Sequence, residues 1–142
     1  MGGNDTLNGG SGNDILYGDA ANYSGDGFVF MDEYAGGTDT LNGGAGNDQL
    51  WGGPNDDPFV FNVGSGNDVI HDFNQANSQL PITATEHDII NVQAYGFSDW
   101  NALNSVISDN GSGNAVIQLS ATDSVELIGV QTANLNQNDF II

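Results

Sequence analysis

Six aspartates carry whatever chemistry this chain has: Asp5, Asp14, Asp39, Asp48, Asp57 and Asp68. Each is preceded by glycine-rich sequence and followed two residues later by a large apolar side chain. The full pattern is two glycines, any residue, a glycine, a polar residue, the aspartate, then a short apolar segment. Residues 9–17 read Gly-Gly-Ser-Gly-Asn-Asp-Ile-Leu-Tyr, and residues 43–51 read Gly-Gly-Ala-Gly-Asn-Asp-Gln-Leu-Trp. One carboxylate beside backbone that has no side chains is a donor set for a hard divalent cation, which takes about six to eight oxygens. The turns can aim carbonyls inward and the Asp adds charge. The expected donors are therefore the six aspartates with the turn positions Gly9, Gly10, Ser11, Gly12, Gly43, Gly44, Ala45, Gly46, Gly52, Gly53, Asn55, Gly64 and Gly66. Calcium suits this set. Magnesium prefers a small octahedral shell that keeps several waters, and zinc or copper would want His or Cys.

The spacing of the aspartates shows what must position them. Asp5 and Asp14 are nine apart, as are Asp39, Asp48 and Asp57. Asp14 and Asp39 are 25 apart, one repeat of nine with sixteen further residues, so an insertion is expected at about 21–36. Asp57 and Asp68 are eleven apart, a slip of two. Leu7, Leu16, Leu41, Leu50, Phe59 and Ile70 each sit two after an Asp, the middle of a three-residue strand and its one inward position. Two turn-plus-strand units make one coil of a flattened right-handed roll. A single coil cannot bury its leucines, so coils must stack. Stacking would share each ion between alternate turns, pairing Asp5 with Asp39, Asp14 with Asp48, Asp39 with Asp57 and Asp48 with Asp68. A Gly/Asn/Asp linker would not hold the apolar residue at a fixed offset through six repeats.

The chain of 142 residues has 19 acidic residues and no Lys or Arg, a formal charge of −19. Only cations, protons or water can neutralise it. Nucleic acid is excluded as a partner, because its phosphates want Lys and Arg. An anionic membrane surface is excluded likewise, and no apolar run reaches the roughly 18 residues of a membrane span. Without cysteine there is no disulfide and no thiolate metal centre. Met1 leads straight into a repeat with no signal peptide, so the chain is expected to be a piece of a longer protein.

Glycine repeats stop after Asp68. Residues 70–73 and 88–92 read as strands, 74–85 as a loop, 98–107 as a short capped helix carrying Trp100, Leu103, Val106 and Ile107, and 115–119 with 125–130 as a hairpin. The expected architecture is all-β: a parallel β-roll over 1–72 and a C-terminal, β-rich cap with one short helix over 73–142.

The repeats resemble the RTX (repeats-in-toxin) family from Gly2 to about Asp72. Residues 57–88 are similar to the C-terminal domains of serralysin-type metalloproteases and to the R-modules of alginate epimerases. The likeness rests on Phe59-Val60-Phe61, the Gly64-Ser65-Gly66-Asn67-Asp68 turn, Asp72-Phe73 and Asp88-Ile89-Ile90. It implies about four to six calcium ions held by turn carbonyls and by Asp14, Asp39, Asp48, Asp57 and Asp68, with Asp72 and Asp88 at the junction. It also implies export through a type I ABC transporter, with an uncleaved signal at about 125–142 ending in Asp139-Phe140-Ile141-Ile142. In two respects this chain departs from the pattern: Asn55 stands for the third glycine and Pro58 for a strand residue.

No catalytic constellation accompanies the repeats. His71 and His87 belong to no HExxH arrangement, and there is no Gly-x-Ser-x-Gly elbow. Tyr17, Tyr23, Trp51 and Trp100 read as packing residues. The reading is a non-catalytic calcium-binding module at the C-terminus of a larger secreted protein, monomeric, folding on extracellular calcium. The alternative is a calcium-dependent polysaccharide-binding or adhesin module.

Overall fold

The computed structural model describes residues 3–18, 37–73 and 87–142. The expected insertion, with Tyr23, and the expected loop at 74–85 lie outside them. Two sheets face each other, and the repeat strands alternate between them. The first sheet runs β1 (Thr6–Ser11), β3 (Thr40–Ala45), β5 (Pro58–Val60), β7 (Ile89–Asn91) and β11 (Phe140–Ile141), parallel throughout. The second runs β2 (Ile15–Tyr17), β4 (Gln49–Trp51), β6 (Asn67–Ile70) and β10 (Ser124–Leu127) in parallel. It then turns antiparallel through β9 (Ala115–Gln118) and β8 (Ile107–Asp109). The expected all-β parallel roll is therefore what the chain forms.

Register explains the core. Leu7, Leu41, Phe59, Ile90 and Phe140 lie side by side across the first sheet. Leu16, Leu50, Ile70, Leu127 and Ala115 do so across the second. Because side chains alternate faces along a strand, the residue two after each Asp points between the sheets. Leu41, Leu50, Phe59 and Ile70 are fully buried, whereas Leu7 and Leu16, on the first strand of each sheet, are half-buried. Both rows continue past the repeats, so the C-terminal half extends the same two sheets.

The two departures from the repeat have local consequences. Pro58 opens β5, and only Leu41 and Phe59 register between β3 and β5. A proline has no N–H to give the ladder and is tolerated at a strand's first residue. The two-residue slip lets Phe61 turn into the core while Val63 stands out, 70% exposed.

Some element boundaries differ from expectation. The strand near 70 runs Asn67–Ile70, because Asp72 turns its carboxylate back to the glycine turn below it. The helix is only α1 (Trp100–Asn104), with the Asp99 side chain accepting from Ala102 N–H. Ser105 Oγ donates to the Ala102 carbonyl at 2.7 Å and the chain leaves the helix there. β-Branched Ile107 joins β8 instead, opposite Ile117.

Candidate metal centre

The glycine turns stack in two columns. One holds Asp14, Asp48 and Asp68; the other holds Asp5, Asp39, Asp57 and Asp88. In the first, Asp14 N–H donates to Asp48 Oδ1 at 2.8 Å and Asp48 N–H to Asp68 Oδ1 at 3.0 Å. In the second, Asp5 N–H donates to Asp39 Oδ1 at 2.7 Å, Asp39 N–H to Asp57 Oδ1 at 2.8 Å and Asp57 N–H to Asp88 Oδ1 at 2.9 Å. The structure thus brings together all four expected pairs and adds Asp57 with Asp88.

In several turns one carboxylate oxygen is left over. Oδ2 of Asp14, Asp48, Asp57 and Asp68 is buried and accepts no hydrogen bond. Those of Asp14, Asp48 and Asp57 aim at the first glycine of their own repeat, whereas Val63 holds that position before Asp68. A methyl group on Gly9 would lie 2.7 Å from Asp14 Oδ2 and overlap the Gly43 carbonyl oxygen of the next coil. On Gly18 it would collide with Asp39 Oδ2 and the Gly52 carbonyl oxygen. On Gly43 and Gly52 it would collide with Asp48 Oδ2 and Asp57 Oδ2. The first-position glycine keeps open a space where a carboxylate and a carbonyl from successive coils converge. The second and fourth positions serve the backbone instead. Gly44 and Gly46 have φ of 98° and 152°, and Asn55 holds a fourth position at φ 90°. Asn tolerates this left-handed geometry better than most residues.

Other expected residues fall in different settings. Ser11 and Ala45 are exposed and face each other in register, and Gly12 N–H donates to Ala45 O at 2.8 Å. Asp72 turns both oxygens to backbone, accepting from Gly52 and Gly53 N–H at 3.0 Å each. His71 stacks on Trp51 with ring centroids 3.8 Å apart, and Trp51 stacks on Tyr17 at 4.7 Å, an aromatic column across the second sheet. Trp100 tilts against Phe140 at 5.5 Å.

Sequence reasoning missed three things. Gly18 is absent from the expected donors, although it completes a cradle with Asp39 Oδ2 and the Gly52 carbonyl. The residue before each Asp makes a second ladder running the opposite way: Asn47 N–H to Asn13 Oδ1 at 2.9 Å, Asn67 N–H to Asn47 Oδ1 at 2.9 Å, Thr38 N–H to Asn4 Oδ1 at 3.0 Å. The recurring Asn at that position was its signal. Asp123, far outside the repeats, closes the turn at residues 64–66, and no local motif marks it.

The donors are oxygens: the buried Oδ2 of Asp14, Asp48, Asp57 and Asp68 and the backbone carbonyls of the turns. Among the described residues no three His, Cys, Asp or Glu side chains converge on a point. A soft or nitrogen-seeking metal has nothing to bind, whereas a hard cation fits. Burial, reinforced by the charges of Asp88, Asp39 and Asp72, pushes Asp57 up to about 8. Burial with Asp48 and Asp123 nearby pushes Asp68 up to about 6. Without a cation these groups therefore hold protons more tightly when folded than when unfolded. Their contribution to metal-free stability is complete below the unfolded value near 3.8 and is lost as pH rises through about 6 and about 8. In chelator, the folded fraction by circular dichroism is expected to grow as pH falls from 8 to 5. In saturating calcium the dependence reverses, because bound ions need ionised carboxylates. The same trend in both conditions would contradict the assignment.

A parallel roll with stacked, oxygen-lined turns is the architecture of a cation-binding β-roll. Comparison with known proteins gives that class its name. Residues 1–23 and 35–59 match the family described as RTX calcium-binding nonapeptide repeat, in four copies. Those residues carry RTX calcium-binding repeats. No curated protein matches it. Among solved structures it is similar to the extracellular lipase LipA from Serratia marcescens, with TM-score 0.57 and 20% identity over 96% of this chain and 20% of that one. It thus spans a fifth of the lipase's length. It is also similar to the R3 and R2 subunits of the AlgE6 mannuronan C5-epimerase from Azotobacter vinelandii. R3 gives TM-score 0.54 and 24% identity, over 99% of this chain and 78% of that one. R2 gives TM-score 0.54 and 26% identity, over 99% and 88%. The resemblance to epimerase R-modules read from the sequence thus meets its counterpart in structure.

Proposed function

We propose that this chain is a non-catalytic folding and export module at the C-terminal end of a larger secreted protein. It takes up four to six calcium ions outside the cell. Oδ2 of Asp14, Asp39, Asp48, Asp57 and Asp68 and the facing glycine carbonyls are the principal donors, with Asp5 and Asp88 at the ends of the second column. The observation that carries this reading is the stack of buried carboxylate oxygens aimed into spaces that only glycine leaves open. Inside a cell calcium is scarce, so the acidic roll stays unstacked and can thread a type I ABC transporter; outside, calcium stacks it. The module works as a monomer.

The signal assigned to residues 125–142 includes β10 and β11, which are part of the two sheets. Truncating it would therefore mix folding with recognition, since Phe140 is buried against the core. Ile141 and Ile142 are 38% and 37% exposed and offer a cleaner test. Changing both to Ser is expected to abolish secretion from a type I system while leaving calcium-induced folding intact. Normal export of that variant would refute the signal.

A further inference from the structure

Asp123 lies outside the repeats, yet its carboxylate sits in a glycine turn of the first column. Ser124 pairs with Asn67, so Asp123 stands level with Gly66, where a further coil would begin. Its Oδ2 accepts from Gly64 N–H at 2.9 Å and from the Tyr95 hydroxyl at 3.0 Å. Its Oδ1 accepts from Gly66 N–H at 3.3 Å and from Thr122 Oγ1 at 3.0 Å. The Asp123 N–H donates to Ser120 Oγ at 3.1 Å. Asp123 is buried, and both its oxygens are met by protein donors.

This contrasts with Asp68 in the same turn, whose Oδ2 has no partner. Tyr95 also ties the turn's other side: its one hydroxyl proton is shared between Asp123 Oδ2 and Asn62 O, 2.7 Å from the hydroxyl oxygen, which lies 3.3 Å from Ser65 Oγ. We propose that Asp123, held by Tyr95, is a positioning residue for the last calcium site of the first column. It fixes the turn at residues 62–68 through backbone N–H groups and needs no metal to do so. Asp68 then meets the first ion in a turn already shaped, and a turn set beforehand loses less entropy on binding. The cap thereby presents one finished template on which the coil carrying Asp48 can stack.

The proposal rests on the calcium reading, and its test separates the two. Calcium binding to the full chain is followed by titration calorimetry, and the Gly64 and Gly66 amide protons are followed by NMR in EGTA. Asp123→Asn is expected to bind as many ions as the parent, with its calcium midpoint raised about tenfold, the weight of hydrogen bonds to a charged group. Tyr95→Phe should raise it by a smaller factor, and it serves as the probe if Asp123→Asn does not fold. The parent's downfield Gly64 and Gly66 amide shifts in EGTA should move in both variants. In an Asp68→Asn background the midpoint shift should vanish, because the site that Asp123 serves is gone. A shift that persists there, or no shift in either variant, overturns the proposal. A parent chain that binds no calcium overturns the calcium reading itself.

Discussion

Stripping calcium with EGTA at neutral pH is expected to unfold the roll before the turn at residues 62–68 and so remove most of the β spectrum of this chain. The roll buries one large apolar residue per repeat, a thin core against the entropy of ordering nine residues. Its columns gather buried carboxylates in a chain with no Lys or Arg to neutralise them. With free calcium about a hundredfold above the dissociation constant, each site adds on the order of 2–3 kcal/mol. Extracellular calcium modules bind at roughly 0.1–1 mM. Four such sites reach the size of a typical domain's whole stability, about 5–15 kcal/mol. The metal-free roll before the turn that Asp123 holds should therefore be largely unfolded at neutral pH. Circular dichroism through a calcium titration should show a cooperative return of β structure with a midpoint in the calcium range above. A β spectrum unchanged by EGTA would show that the Asn ladders and the apolar rows suffice on their own.

What the sequence made legible was whatever repeats. The nine-residue Asp register located the turns, the inward row and the stacked pairs, because a solenoid turns a constant spacing into a constant position. It also made Asn55 readable: a fourth-position residue must accept positive φ, and it does so at 90°. The rest was hidden because it depends on contacts without a period. Ile90 lies beside Phe140 only through pairing across some fifty residues of intervening chain, and nothing local announces that β7 and β11 continue the first sheet. Asp123 reaches Gly66 across 57 positions. The helix was read too long because Val106 and Ile107 continue its apolar spacing, while tertiary pairing with β9 claims Ile107.

Replacing Gly43 with Ala is expected to remove one calcium ion, and replacing Gly10 with Ala to remove none. The two glycines are neighbours in the motif but do different work. Gly43 has no positive φ to protect, so Ala costs its backbone little; a methyl there overlaps Asp48 Oδ2 and lies 2.7 Å from Asp48 Cγ. The Asp48 carboxylate must swing away, giving up both the space for the ion and the bond from Asp14 N–H. The loss should appear as one fewer ion by calorimetry, with calcium-saturated stability lower by on the order of 2–3 kcal/mol. Gly10 has φ 97° and open space around its would-be methyl. Ala there carries only the left-handed strain, about 1–2 kcal/mol, and the ion count stays whole. Gly44→Ala combines that strain at φ 98° with a clash against the Gly10 carbonyl oxygen, and it should prevent stacking at any calcium concentration. If Gly43→Ala kept its full count of ions, the cation could not lie between Asp48 Oδ2 and the first-position glycine. The turns would then be a hydrogen-bonded scaffold whose calcium sits elsewhere.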